Sequence, residues 1–125
     1  MKKSLTIIFV LLFFSTCKKN NTNTNSINPP NWIIGRWIDN VNGNTGFEFK
    51  SDNFCAISSY QTTCYKTLVE QNNVEVNEYI TNNSYKIKFD VNIGTQITSY
   101  EFEKIANNEI IYYHPSGILI HYFKQ

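Results

Sequence analysis

Chemistry in this chain would have to come from two histidines, ten carboxylates, a single arginine and three cysteines, so their spacing is read first. His114 and His121 flank the turn residues Pro115, Ser116 and Gly117; a two- or four-residue loop would bring them to one face of a hairpin, a three-residue loop to opposite faces. No third donor lies within sequence reach, and a zinc site needs three or four, so neither a metal nor a cofactor is expected. Among the carboxylates, Glu75, Glu78, Glu101 and Glu103 invite a comparison with paired acid and base groups. A glycosidase, however, needs two carboxyls facing one cleft. Glu101 and Glu103 alternate with Tyr100 and Phe102, which puts them on a solvated face. G-x-S-x-G nucleophile turns and Gly-rich phosphate loops are absent, so the chain is read as not an enzyme. Arg36 is expected to stack on Trp37 or Trp32 and not to bind a ligand carboxylate.

Cys17 stands apart from the other two cysteines because of what precedes it. Lys2 and Lys3 form a positive n-region, and Leu5 to Phe14 is an apolar run broken only by Thr6. That run falls short of the roughly 17 to 25 residues a transmembrane helix needs, and Lys18 and Lys19 follow at once, so cleavage is expected in preference to insertion. Phe14-Ser15-Thr16-Cys17 resembles the lipobox of bacterial lipoproteins, in the relaxed form of the Bacteroidota, with phenylalanine where leucine is usual and threonine where glycine or alanine is usual. The resemblance implies a signal peptide over 1–16, lipidation of Cys17 as the new N-terminus, and a membrane as the first partner. The acidic residues that often follow the cysteine in surface-exported lipoproteins are missing, which implies a cell-envelope location on the outer membrane, facing the periplasm. Residues 17–31 are polar, rich in asparagine and end near Pro29-Pro30; they are read as a flexible tether. With Cys17 consumed by lipid, Cys55 and Cys64 form an even pair in an oxidising compartment, either bridged or as two buried thiols, and the bridge is the expectation.

What remains, residues 32–125, is one domain's worth of chain with a modest core. A net charge of +1 and 17% charged residues remove the electrostatic case for a nucleic-acid partner. Aromatics at 15%, with many isoleucines and valines, favour strands. The stretch Tyr85 to Val91 alternates most cleanly, with Tyr85, Ile87, Phe89 and Val91 on one face and Lys86, Lys88 and Asp90 on the other. Gly46 to Lys50, Phe54 to Ser58, Val74 to Ile80, Ile97 to Ile105, Glu109 to Tyr113 and Ile118 to Phe123 read as further strands between Asn, Gly, Asp and Ser turns, and no segment reads as an amphipathic helix. The fold class is therefore all-β, an antiparallel meander of about eight or nine short strands. Closure into a small barrel is the expectation because it removes reactive edges; a two-sheet β-sandwich is the alternative.

At Gly35-Arg36-Trp37 the domain resembles the lipocalins and related calycins, whose barrel opens with a G-x-W motif just after a short helical turn, a role open to Trp32 to Ile34. Phe49 to Phe54 echoes the family's aromatic and aspartate second hairpin. The arginine that packs on the motif tryptophan from near the end of the barrel has no equivalent here, since the last strand offers only Lys124. The resemblance implies that Gly35, Arg36 and Trp37 form a keystone at the closed end. It further implies a monomeric barrel that binds a small apolar ligand without catalysis, with Phe47, Phe49, Phe89, Tyr100 and Phe102 as the interior, ligand-facing positions. Such an interior is just wide enough to be filled by side chains or to hold one small ligand, and five large rings narrow it. The alternative is a packed, ligand-free barrel serving as a protein-interaction or assembly module of the envelope.

Overall fold

The computed structural model describes residues 20–72, 74–91, 94 and 96–125. The signal peptide and Cys17 lie outside the described residues. Ten antiparallel strands form one sheet: β1 (Asn20–Thr24), β2 (Gly35–Asp39), β3 (Gly46–Lys50), β4 (Asn53–Ile57), β5 (Thr62–Cys64), β6 (Glu75–Ile80), β7 (Ser84–Val91), β8 (Gln96–Ala106), β9 (Glu109–Tyr113) and β10 (Leu119–Lys124). A 3₁₀ turn (Asn31–Ile33) precedes β2, and one helix, α1 (Tyr65–Asn72), joins β5 to β6. The spatial order is β1-β6-β7-β8-β9-β10-β2-β3-β4-β5. From β2 onward this is the meander read from the alternation, with the last strand returning to the first. The sheet curls into a half-barrel whose hydrogen-bonded ladder ends at β5 on one side and β1 on the other.

The local chemistry explains the curl. In β7, Tyr85, Ile87 and Phe89 are buried while Lys86, Lys88 and Asp90 point outward, so the whole row of rings shares one face. β3 sets Phe47 and Phe49 on the inner face with Glu48 between them, β4 adds Phe54, and β8 adds Phe102. Fully burying one such side chain contributes about 1.5–3 kcal/mol, so rows of rings on distant strands draw the two halves of the sheet together. The Cys55–Cys64 disulfide forms across β4 and β5, where the two residues are register partners. Replacing both cysteines by serine should cost roughly 2–3 kcal/mol, read from urea melts, because the bridge constrains the unfolded chain.

Two readings of the sequence are corrected. Residues 17–31 read as a featureless tether, yet 20–24 pair with β6 from Asn20 opposite Ile80 to Thr24 opposite Val76. Ile27 is 2% exposed and packs in the core, and the Asn28 amide donates to Glu78. The polar composition fails to reveal this because the stabilising groups are backbone pairing to an available edge and one isoleucine, neither of which needs an amphipathic pattern. Second, α1 exists although no segment reads as a helix. Only Val69 of its residues is buried, so it carries no helical period. Its first turn is capped from a distance, by the Asn53 Oδ1 that accepts the Lys66 amide at 3.0 Å, a partner thirteen residues away that no local cap rule reaches.

Candidate functional site

Antiparallel alternation sorts the connections into two ends. The 3₁₀ turn, the β3–β4, β6–β7 and β8–β9 turns and the start of β2 gather at one end, here the closed end. The connections 40–45, 58–61 and 114–118 gather at the other, the open end.

At the closed end Trp37 is fully buried, and its indole N–H donates to the Ile33 carbonyl at 2.7 Å, which ties the 3₁₀ turn beneath the interior. Trp32 anchors the same turn by donating to the Thr81 carbonyl. Arg36 does not stack on either ring as expected; its side chain is exposed, since Trp37 takes the inward place in the alternation. The cation over the Trp37 ring is Lys124, with Nζ 5.3 Å from the centroid. Gly35 lies at φ +134°, and a Cβ there would meet Lys124 Cε at 2.8 Å, so this glycine leaves the passage for the lysine.

The five expected interior positions come together, but against each other. The Phe47 ring lies 4.9 Å from Phe102, 5.8 Å from Tyr100 and 6.4 Å from Phe49, and it also meets Phe54, Tyr112 and Tyr122. Phe89 stacks on Phe54 and on Tyr65 of α1. The Tyr65 and Tyr100 hydroxyls hydrogen-bond to each other at 2.6 Å, and burial raises the Tyr100 phenol well above its ordinary value, with the Tyr65 bond adding to it. Such rings prefer edge and offset contacts at about these distances, so the geometry is that of a packed core.

Glu78 reads in the sequence only as one of several carboxylates. It is 1% exposed and points inward from β6. Its Oε1 accepts the Tyr85 hydroxyl at 2.6 Å and the Asn28 amide at 2.9 Å, while Oε2 has no partner among the described residues. Burial pushes this carboxyl up, and the two hydrogen bonds offset only part of that. Burial, reinforced by the neighbouring Glu78, also drives the Tyr85 phenol far up. The alternation of β6 held the signal: Val74, Val76 and Glu78 share one face. A carboxyl with a raised folded-state pKa favours the native state fully at pH below its unfolded value, and that contribution is lost as pH rises through the folded value. The urea midpoint of the parent should therefore fall with rising pH relative to Glu78→Gln, in which the group stays neutral; parallel pH profiles would contradict the assignment.

The remaining candidates do not converge. His121 Nδ1 meets Glu109 Oε1 at 2.6 Å, whereas His114 bonds Ser116 within the 114–118 loop. Glu101 pairs with Lys86 across the outer face and Glu103 accepts the Tyr113 hydroxyl. Among the described residues no three His, Cys, Asp or Glu side chains are placed to hold a metal ion. Open depressions mark the outer surface, two of them beside the sheet. One, of about 600 Å³, lies over β6 to β8 and is lined by Tyr79, Lys86, Lys88, Ser99 and Glu101 among others. The second, of about 460 Å³, lies between the β2–β3 loop and β10. Asp39 shapes that loop: its carboxylate accepts the Val41 and Asn42 amides and the Thr45 hydroxyl, and these bonds hold it below the ordinary carboxylate range.

Fold and surface together define a small all-β half-barrel with a ring-filled interior. The chain belongs to the family described as a domain of unknown function, DUF3284, whose model matches residues 30–115. No curated protein and no solved structure matches the chain.

Proposed function

We propose that this is a lipid-anchored envelope lipoprotein whose half-barrel serves as a protein-interaction module. The observation that carries the second half of this reading is the packing of Phe47, Phe49 and Phe102 on one another and of Phe89 on Phe54 and Tyr65, all four phenylalanines at most 5% exposed, with Tyr100 against Phe47 and Phe54. That packing supports the interaction reading over the small apolar ligand implied by the lipocalin resemblance. The resemblance itself draws support from Trp37 above the 3₁₀ turn and from the pairing of the last strand with β2. The lipid anchor rests on the charged n-region, the apolar run and the FSTC ending. Asn20 pairs at the closed end of the barrel, and Cys17 precedes it by three residues, a reach of about 10 Å at full extension. An anchor at Cys17 would therefore hold the closed end near the bilayer and direct the open-end loops away from it.

Two measurements test the reading. Mass spectrometry of membrane-purified protein should show a lipidated Cys17 as the N-terminus; an unmodified, uncleaved chain contradicts the anchor. Titration of the native protein with an apolar fluorescent dye should give no saturable one-to-one binding. Saturable binding that Phe102→Ala or Tyr100→Ala alters would restore the ligand-binding reading in place of the interaction module.

A further inference from the structure

The backbone of β10 is only partly covered on its β2 side. The pairing of β10 with β2 runs over Tyr122, Phe123 and Lys124 opposite Asp39, Ile38 and Trp37, and there β2 ends. Two flanking bonds give the phase of the strand: the Gln125 amide donates to the Arg36 carbonyl on the β2 side, and the Lys124 amide donates to the Asn108 carbonyl on the β9 side. Backbone groups in a strand alternate sides with a period of two. The Asp39–Tyr122 pairing sets the Asn40 amide against the His121 carbonyl, and Leu119 directs its N–H and C=O and His121 its N–H toward the β2 side. Beyond Asp39 no strand of the described residues is there to receive them; the chain turns away into the 40–45 loop, held by the Asp39 carboxylate.

The space beside this free edge is the 460 Å³ groove, whose walls include Val41, Leu119, Ile120 and Tyr122 together with His121 and with Asp39, whose carboxylate is taken up by the Val41 and Asn42 amides and the Thr45 hydroxyl. Val41 is 88% exposed and Leu119 52%, so both present aliphatic surface to the groove. Around it the open-end loops are free of formal charge. None of the connections 40–45, 58–61 and 114–118 contains Asp, Glu, Lys or Arg, although such residues make up 17% of the chain. Depletion of charge around exposed apolar residues is the composition of a protein interface centre. A bilayer surface would be met by lysine or arginine, which these loops lack.

We propose that the notch beside Leu119 and His121 receives an extended, uncharged peptide segment of a partner protein, which adds as a short antiparallel or parallel strand between β10 and the 40–45 loop. Main-chain hydrogen bonds to Leu119 and His121 supply the attachment, and Val41 with Ile120 supplies the apolar contact that selects aliphatic side chains at alternate positions. The free edge of β5 lacks this combination. β5 is three exposed residues stapled to β4 by the disulfide, and the described residues place no apolar groove beside it.

This inference rests on the interaction-module reading and is tested on the full ¹⁵N-labelled chain. The probe is a short peptide capped at both ends that alternates threonine and valine; the control is the same peptide N-methylated at alternate amides. The expected result is saturable shifts of the Leu119, His121 and Val41 amide resonances, with exchange at Leu119 and His121 slowed by about tenfold or more. N-methylation and, separately, Val41→Asp should abolish both effects. The Val41 side chain is exposed, so that variant retains the fold, which its spectrum reports directly. Shifts confined to another edge, such as Thr62 to Cys64, would overturn the notch while leaving the interaction module standing. Absence of shifts up to the peptide's solubility limit also overturns the notch. If an apolar dye then binds the same sample saturably, the interaction-module reading falls with it.

Discussion

Trp37→Ala should cost roughly 3–5 kcal/mol, a large share of the stability available to a domain of this size, and the variant should unfold at low urea or precipitate. The ring is fully buried, so the substitution removes its packing and leaves a cavity at the floor of the half-barrel. It also removes the indole donor and leaves the Ile33 carbonyl unpaired at the end of the 3₁₀ turn. Lys124→Met is the matched control. Methionine keeps an aliphatic stem over the ring and removes only the cation, whose partly exposed contribution is about 0.5–1 kcal/mol. Urea melts of the two variants should differ by several kcal/mol. If Trp37→Ala melts with the parent, the ring is not a keystone, whatever the resemblance to the G-x-W motif implies.

Gly46→Ala is expected to be nearly as damaging, at roughly 3 kcal/mol or more, through backbone collision and not through a lost contact. A Cβ at Gly46 would stand 1.9 Å from the Trp37 carbonyl oxygen and 3.0 Å from Ile38 Cδ1. Gly46 is the first residue of β3 and pairs with Ile38, so any relief must separate the strands that carry Trp37 and Phe47. Gly43 in the same loop gives the contrast. It lies at φ +65°, and a methyl added there would meet nothing within 4 Å, so its alanine variant bears only conformational strain of about 1 kcal/mol. Paired thermal melts of Gly46→Ala and Gly43→Ala should therefore rank the two in that order, and equal shifts would show that β2 and β3 can part at little cost.

The sequence alone determined the class of fold and most strand positions, because alternation with a period of two is a local property. β7, β8 and β9 form where Tyr85 to Val91, Ile97 to Ile105 and Glu109 to Tyr113 alternate, and the disulfide joins the two cysteines that remain as an even pair once Cys17 is set aside. The rings expected inside are inside for the same reason. What only the tertiary structure decided involves partners distant in the chain. α1 depends on Asn53 for its cap, and Glu78 becomes a buried carboxyl because Asn28 and Tyr85 fold onto it. Lys124 reaches the Trp37 ring because the last strand pairs with β2, and Ile27 joins the core because β6 offers an edge to the segment before it. Each of these depends on which strand neighbours which, and a single strand's own alternation is the same for every choice of neighbour.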